Sequence, residues 1–187
     1  MKVTFFAAVS ACLMVLATAG CSTPSAPSEP SLTPTSMKAQ AMNQGQLCDT
    51  LAAFFADELR VVDLQTQPLR ARDTVISPGG ICDVAQGGER VGRWESLHTM
   101  TRPDPTEGVP GYKEIAGGEN PVFFYDRRDD GFGVRFATRF GEWNARLFVY
   151  TVDIRTADGL LDIDDENMHK CAEFIVELTR KLAAMPL

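Results

Sequence analysis

Histidine is nearly absent from this chain, with only His98 and His169 among 187 residues. Positive charge is also short: 18 lysines and arginines face 25 aspartates and glutamates, a net charge of −7. That balance excludes a nucleic-acid partner and a polybasic grip on anionic lipid. Cysteine is sparse, and no two cysteines stand at metal-ligand spacing, so neither a zinc site nor any other resident metal is expected. There is no Gly-x-Ser-x-Gly elbow to raise a nucleophile. The glycine pairs Gly87-Gly88 and Gly117-Gly118 lack the strand–glycine–helix setting of a phosphate loop, so no nucleotide or other cofactor is expected. No internal repeat is visible, and long apolar runs are confined to the first 20 residues.

Those first residues are informative. Lys2 supplies one positive charge, an uncharged and mostly apolar run follows, and the small residues Thr18, Ala19 and Gly20 lead into Cys21. This is the layout of a secretory signal ending in a lipobox. Residues 1–20 are read as a lipoprotein signal peptide, and Cys21 as the lipidated first mature residue, with palmitate among its acyl groups. The usual lipobox has Leu three places before the cysteine; here Thr18 stands there and Leu16 lies two places earlier. Thr4, Ser10 and Thr18 dilute the run below what a retained membrane span needs. The expected location is the extracytoplasmic face of the cell membrane, reached through the lipid.

Residues Ser22 to Ser36 hold five Ser, three Thr and four Pro. Such a segment cannot bury enough apolar area to offset ordering, so 21–45 is read as a disordered stalk. A single globular domain is assigned to 46–187, long enough to build its own core.

Within it, Leu47, Cys48, Leu51, Phe54, Phe55 and Leu59 recur at helical spacing and predict a helix over Gln46–Leu59. Strands are predicted at Ile81–Ala85, Val91–Thr101, Pro121–Tyr125, Phe132–Phe140 and Trp143–Ile154. Phe132, Val134, Phe136 and Phe140 alternate with Gly133, Arg135, Ala137 and Arg139, which implies one buried face. Gly141-Glu142 suits a tight hairpin. The stretch Arg102–Gly118 is too broken by Pro and Gly for regular structure. A closing helix, Asp164–Ala184, carries the stripe Met168, Cys171, Ile175, Leu178 and Leu182, with acidic residues first and basic residues last. The fold class is α+β: an antiparallel sheet of four or five strands with N- and C-terminal helices packed on one face.

Cys48, Cys82 and Cys171 remain in the domain. Outside the cytoplasm one disulfide is expected and one thiol is left over, with three pairings open.

Three short motifs occur in order: Cys48-Asp49-Thr50-Leu51 opening a helix, Gly79-Gly80-Ile81-Cys82 entering a strand, and Cys171-Ala172-Glu173-Phe174-Ile175 in the last helix. With Gly131-Phe132-Gly133-Val134 they resemble actinobacterial lipoproteins of the domain-of-unknown-function 3558 family over about 48–184. Two departures stand out. Members often have a tryptophan soon after the strand cysteine, where this chain has Asp83-Val84, and some carry a fourth cysteine at the position of Phe132. The resemblance implies a cell-envelope lipoprotein with no assigned chemistry. It favours a Cys48–Cys82 bridge, with Cys171 as an alternative partner, and supplies no catalytic residue.

Other constellations carry less. Arg135, Arg139 and Arg146 are a candidate anion patch, because guanidinium forks match carboxylates and phosphates. Asp162, Asp164, Glu166 and Glu173 fall on a calcium-loop template, but Asn167 replaces the glycine of its sharp turn, and the segment reads better as a helix start. His98 shares a strand side with Trp94, Ser96 and Met100 without an assignable acidic partner. Ser77 is part of a turn, and His169 faces solvent. The aromatics Phe123, Phe124, Tyr125, Phe132, Phe136, Phe140, Trp143, Phe148 and Tyr150 read as core, or as the lining of an apolar pocket.

The expected function is that of a lipid-anchored, non-enzymatic binding module for a protein partner or an apolar envelope ligand. An envelope hydrolase or modifying enzyme, and a structural accessory subunit of a surface complex, are the alternatives.

Overall fold

The computed structural model describes residues 41–99, 104–106, 108–115 and 120–186. Residues 1–40, which hold the expected signal peptide, Cys21 and most of the expected stalk, lie outside these, as do Met100 and Gly117-Gly118. The first helix, α1, is Gln44–Asp57, beginning earlier than the apolar spacing alone suggests. Asn43 starts it with a capping box: its side chain accepts from the Gln46 N–H, and the Gln46 side chain accepts from the Asn43 N–H. Two otherwise orphaned donors are thereby satisfied. Gln44 is buried and donates to the Ile81 carbonyl, so the ordered domain reaches back before residue 46.

The remaining elements are β1 (Leu64–Pro68), β2 (Gly79–Gln86), β3 (Glu89–His98), β4 (Lys113–Ile115), β5 (Val122–Arg127), β6 (Gly133–Phe140), β7 (Trp143–Val149), β8 (Arg155–Thr156), β9 (Gly159–Leu160) and α2 (Asp165–Ala183). The sheet has seven strands in the order β1-β2-β3-β7-β6-β5-β4, antiparallel throughout, with β8 and β9 forming a separate small ribbon. This corrects the expected four or five strands. The two extra strands lie at the edges of the sheet, where pairing to a single neighbour needs little apolar pattern. β1 reads Leu-Gln-Thr-Gln-Pro, with its proline tolerated at an edge, and β4 is three residues inside the Pro/Gly-broken stretch.

Two meanders, β1–β2–β3 and β4–β5–β6–β7, meet where β3 pairs with β7. Gly87 and Gly88 both take positive φ in the β2–β3 turn, and Gly141 does so between β6 and β7, as two-residue hairpins require. Cross-strand register puts Cys82, Trp94, Leu147, Phe136 and Phe124 in one row on one face of the sheet. Both helices cover that face. Cys48 of α1 is bridged to Cys82, with a Cα–Cα distance of 5.4 Å. Phe55 packs so closely over Gly92 that an added Cβ would lie 2.1 Å from its ring. Phe54 of α1 stacks on Phe174 of α2 at 4.0 Å, and Phe174 meets Trp94 edge-on. Cys171, Ile175, Leu178 and Leu182 of α2 are buried, with Met168 packed against the same core.

Cys171 is a free, buried thiol, so it does not partner Cys48 or Cys82. Burial in apolar surroundings pushes its pKa upward, which makes it inert.

The β6 reading needs one correction. Phe132 is not on the buried face but 55% exposed, because Gly133 adopts φ +83° and turns the chain before the strand begins. A side chain at Gly133 would lie 2.0 Å from the Val149 carbonyl oxygen, so only glycine allows β6 to pass β7 there. The strand predicted to run to Ile154 ends at Val149; Asp153, at φ 57°, turns the chain into the β8–β9 ribbon.

Candidate functional site

Alternation along the strands sends every second residue to the face the helices do not cover. There the register aligns Ile81 and Asp83 of β2, Arg93, Glu95 and Leu97 of β3, and Asn144, Arg146 and Phe148 of β7. Arg135, Ala137 and Arg139 of β6, with Phe123, Tyr125 and Arg127 of β5, continue the same face. Part of it is crossed by residues 104–106 and 108–112. The Arg146 guanidinium donates through Nε and Nη2 to the Pro105 carbonyl at 3.3 and 3.1 Å, and the Tyr112 ring lies 5.7 Å from that of Tyr125. Asp104 is locked in its own turn by the Thr106 N–H and hydroxyl, which hold its carboxyl below the usual carboxylate range.

A cavity of about 250 Å³ lies beside this segment, lined by Ile81, Leu97, Pro105, Asn144 and Arg146 together with the carboxylates Glu95 and Asp104. A second, of about 140 Å³, continues from Ile81 and Leu97 toward Leu69 and Pro78. Ile81, Ser96 and Leu97 are common to both, and Leu97 and Leu69 are 45% and 66% exposed. Apolar side chains thus line a groove on the side of the sheet away from the core.

Charge on this face is unevenly committed. Asp83 pairs with Arg90 at 3.2 Å and Arg93 at 3.4 Å, and Arg93 holds Glu95 at 2.6 Å. Arg127 pairs with Asp130 and lies 4.2 Å over the exposed Phe132 ring. Arg135 instead stacks on Phe148 at 4.5 Å. The three arginines predicted as an anion patch do share this face. Arg135 and Arg146 are diagonal neighbours on β6 and β7, whereas Arg139 sits at the hairpin end, with Nε donating to the Gly141 carbonyl.

The other candidates resolve differently. Ser96 and His98 share the helix-covered side of β3, but the Ser96 hydroxyl is engaged with Gly80, contacting its N–H and carbonyl at 3.2 and 3.3 Å. His98 Nε2 meets Glu142 Oε2 at 2.9 Å across the β6–β7 turn, and its ring leans on Trp143. An acidic partner for His98 therefore exists, supplied by a hairpin that sequence alone does not bring near. Ser77 is exposed, and His169 Nδ1 lies 2.8 Å from the Asp165 carbonyl. Asp164 is the cap of α2, Glu166 pairs with Lys170, and Glu173 lies farther along the helix beside Phe54, so the calcium template is not assembled as a loop. Among the described residues no group of three or more His, Cys, Asp or Glu is placed to hold a metal ion.

Sequence reasoning missed Tyr112, Pro105 and the outward pair Ile81 and Leu97. For the pair, a signal existed: with Cys82, Val84 and Trp94 facing inward, alternation turns Ile81 and Leu97 outward. For Tyr112 none did, since it lies in a stretch with no periodicity.

The aromatics expected as core or pocket lining divide between the two faces. Phe136 and Trp143 are buried, while Phe123, Tyr125 and Phe148 belong to the uncovered face. No family model, curated protein or solved structure matches the chain, so its resemblance to the lipoprotein family rests on the short motifs alone.

Proposed function

We propose that this chain is a lipoprotein of the cell envelope, anchored on the extracytoplasmic face of the membrane through lipid on Cys21. It works as a non-enzymatic binding module for an apolar envelope ligand, seated on the uncovered face of the sheet. The observation that carries this reading is the groove formed by Ile81 and Leu97 between two adjoining cavities, on a face that the core does not use. Pockets of a few hundred Å³ with apolar walls and a few polar groups are the usual form of small-ligand sites. The Cys48–Cys82 bridge supports an oxidising location. The separate engagements of Ser96 and His98 support a binding role over hydrolysis.

A protein partner is the second reading. It is favoured by Phe132, exposed and stacked under Arg127 beside Tyr125, since aromatic and arginine side chains dominate interface hot spots.

Native mass spectrometry of protein extracted gently from its own membrane tests the proposal. Extra covalent mass on Cys21, lost in Cys21→Ser, is expected; an unmodified N-terminus would overturn the anchor. A non-covalent adduct that Leu97→Asp removes is expected too. A bare domain mass would transfer the weight to the protein-partner reading.

A further inference from the structure

At one end of the uncovered face the layer of side chains has a gap. Register sets Gly133 of β6 opposite Arg127 of β5, with Tyr150 against its other side. Only glycine fits there, given its positive φ and the Val149 carbonyl beside it. Where the side chain is missing lies a cavity of about 90 Å³, lined by Tyr125, Arg127, Phe132, Arg135, Phe148 and Tyr150. Two guanidinium groups enter this cavity and no carboxylate does, whereas the larger cavity at Pro105 holds Arg146 together with Glu95 and Asp104.

Arg127 and Arg135 are diagonal neighbours across β5 and β6, and each is held by a ring. Arg127 lies 4.2 Å over Phe132, and Arg135 lies 4.5 Å over Phe148. Stacking fixes the plane of a guanidinium and leaves its N–H edge to meet a partner. Asp130 takes the Nε of Arg127 at 3.1 Å from outside the cavity lining, and the terminal nitrogens of Arg127 have no bond among the described residues. Arg135 meets the Tyr112 hydroxyl and has no carboxylate at ion-pair distance among the described residues. The rim is apolar. Phe132 and Val152 are 55% and 56% exposed, and Val152 stands against the turn that carries Phe132, 3.9 Å from where a Gly131 Cβ would lie.

We propose that this cavity is the docking point of a protein partner, and that it receives an aspartate or glutamate side chain flanked by apolar residues. The carboxylate lies between the N–H edges of Arg127 and Arg135, and the flanking residues cover Phe132 and Val152. This rests on the protein-partner reading above and names its chemistry; it does not depend on the groove at Ile81 and Leu97. Charge complementarity carries it. On a chain of net charge −7, this cavity presents two cations and no acid. A carboxylate held by guanidinium forks makes charge-assisted hydrogen bonds, the strong kind, and tyrosine and arginine in small pockets are typical interface anchors. The cavity is too small for an acyl chain and suits the end of one side chain.

The experiment uses the full mature chain with Cys21→Ser, so that no attached lipid covers the surface. Three end-blocked peptides, Leu-Glu-Leu, Leu-Gln-Leu and Leu-Lys-Leu, and inorganic phosphate are titrated separately and followed by NMR chemical shifts. The expected result is that the Glu peptide binds about tenfold or more tightly than the Gln peptide, with the Lys peptide weakest. The shift changes should centre on Phe132, Gly133 and Tyr150. Arg127→Gln and Arg135→Gln should each remove most of the preference for Glu over Gln. Phe132→Ala should weaken the Glu and Gln peptides alike and leave their ratio unchanged.

Melting temperatures recorded alongside separate recognition from structure, and should either arginine variant unfold, the other carries the comparison. Equal binding of the Glu and Gln peptides, lost in Phe132→Ala, overturns the carboxylate and leaves the protein-partner reading standing. Binding of phosphate, lost in the arginine variants, with no binding of any peptide, makes the cavity a small-anion site and overturns the docking of a protein there. No binding of any probe overturns both the carboxylate and the protein-partner reading at this face.

Discussion

The two faces of the sheet are built from the same strands, one residue apart, and they are packed differently. Cys82, Trp94, Leu147 and Phe136 face the helices and are 0% exposed. Their immediate neighbours Ile81, Glu95, Arg146 and Arg135 face away and are only half-buried. The first row is held by a disulfide and by stacked rings, so its geometry is over-determined. The second is held by ion pairs at the β2–β3 side and by one carbonyl at Arg146, contacts that solvent weakens. Stability is concentrated on the helix-covered side of the sheet, and the proposed groove lies on the other.

Breaking the inner row should have the largest effect. Phe136→Ala is expected to cost about 3–5 kcal/mol in chemical denaturation, the range for a fully buried aromatic. Removing the bridge with the pair Cys48→Ala and Cys82→Ala releases a loop whose ends are 34 residues apart in sequence. A loss of about 2–4 kcal/mol is expected in chemical denaturation. Gly92→Ala places a methyl group against the Phe55 ring and should cost about 1–3 kcal/mol through overpacking. A neutral outcome there would show the inner row to be looser than its contacts imply.

Two smaller effects sharpen the contrast from the polar side. Asp126 is clasped by Arg128, which also donates to the Ile163 carbonyl ahead of α2, and this clasp holds the Asp126 carboxyl below its ordinary range. A folded-state pKa below the unfolded one contributes stability that is present above the unfolded value and lost as pH falls through the folded value. Acid titration of unfolding should show that loss below the ordinary aspartate range, and Asp126→Asn should remove it. The pair is about a third exposed, so the amplitude is expected to stay under about 1 kcal/mol. Least of all, Arg135→Gln should move stability by no more than about 0.5 kcal/mol in chemical denaturation. A larger loss would mean that the guanidinium stacked on Phe148 is part of what holds the fold.

Much of the architecture was legible where a face was periodic. The stripes of α1 and α2, and the alternation along β6 from Val134 onward, announce which residues turn inward, because each element must hide one side. Legibility failed where a backbone feature overrode the pattern. Phe132 belongs to the apolar set by spacing, yet the positive φ of Gly133 carries it out to solvent. It failed again at β1 and β4, whose strand character comes from a neighbour's hydrogen bonds and not from their own residues. The groove was half legible: strand alternation turns Ile81 and Leu97 outward, but Pro105, which lines it with them, lies in a stretch with no periodicity.

By itself the sequence determined the class of the fold, the buried stripe of each helix and the inward row of β6, since periodicity and burial are local consequences of side-chain type. The tertiary structure decided the meeting of β3 with β7, which sets Glu95 opposite Arg146 and leaves Arg93 to claim it. It also decided that the Pro105 carbonyl, from a stretch with no pattern, receives the Arg146 guanidinium. These depend on long-range register, and register is fixed by the packing of the whole sheet under its helices rather than by any segment alone.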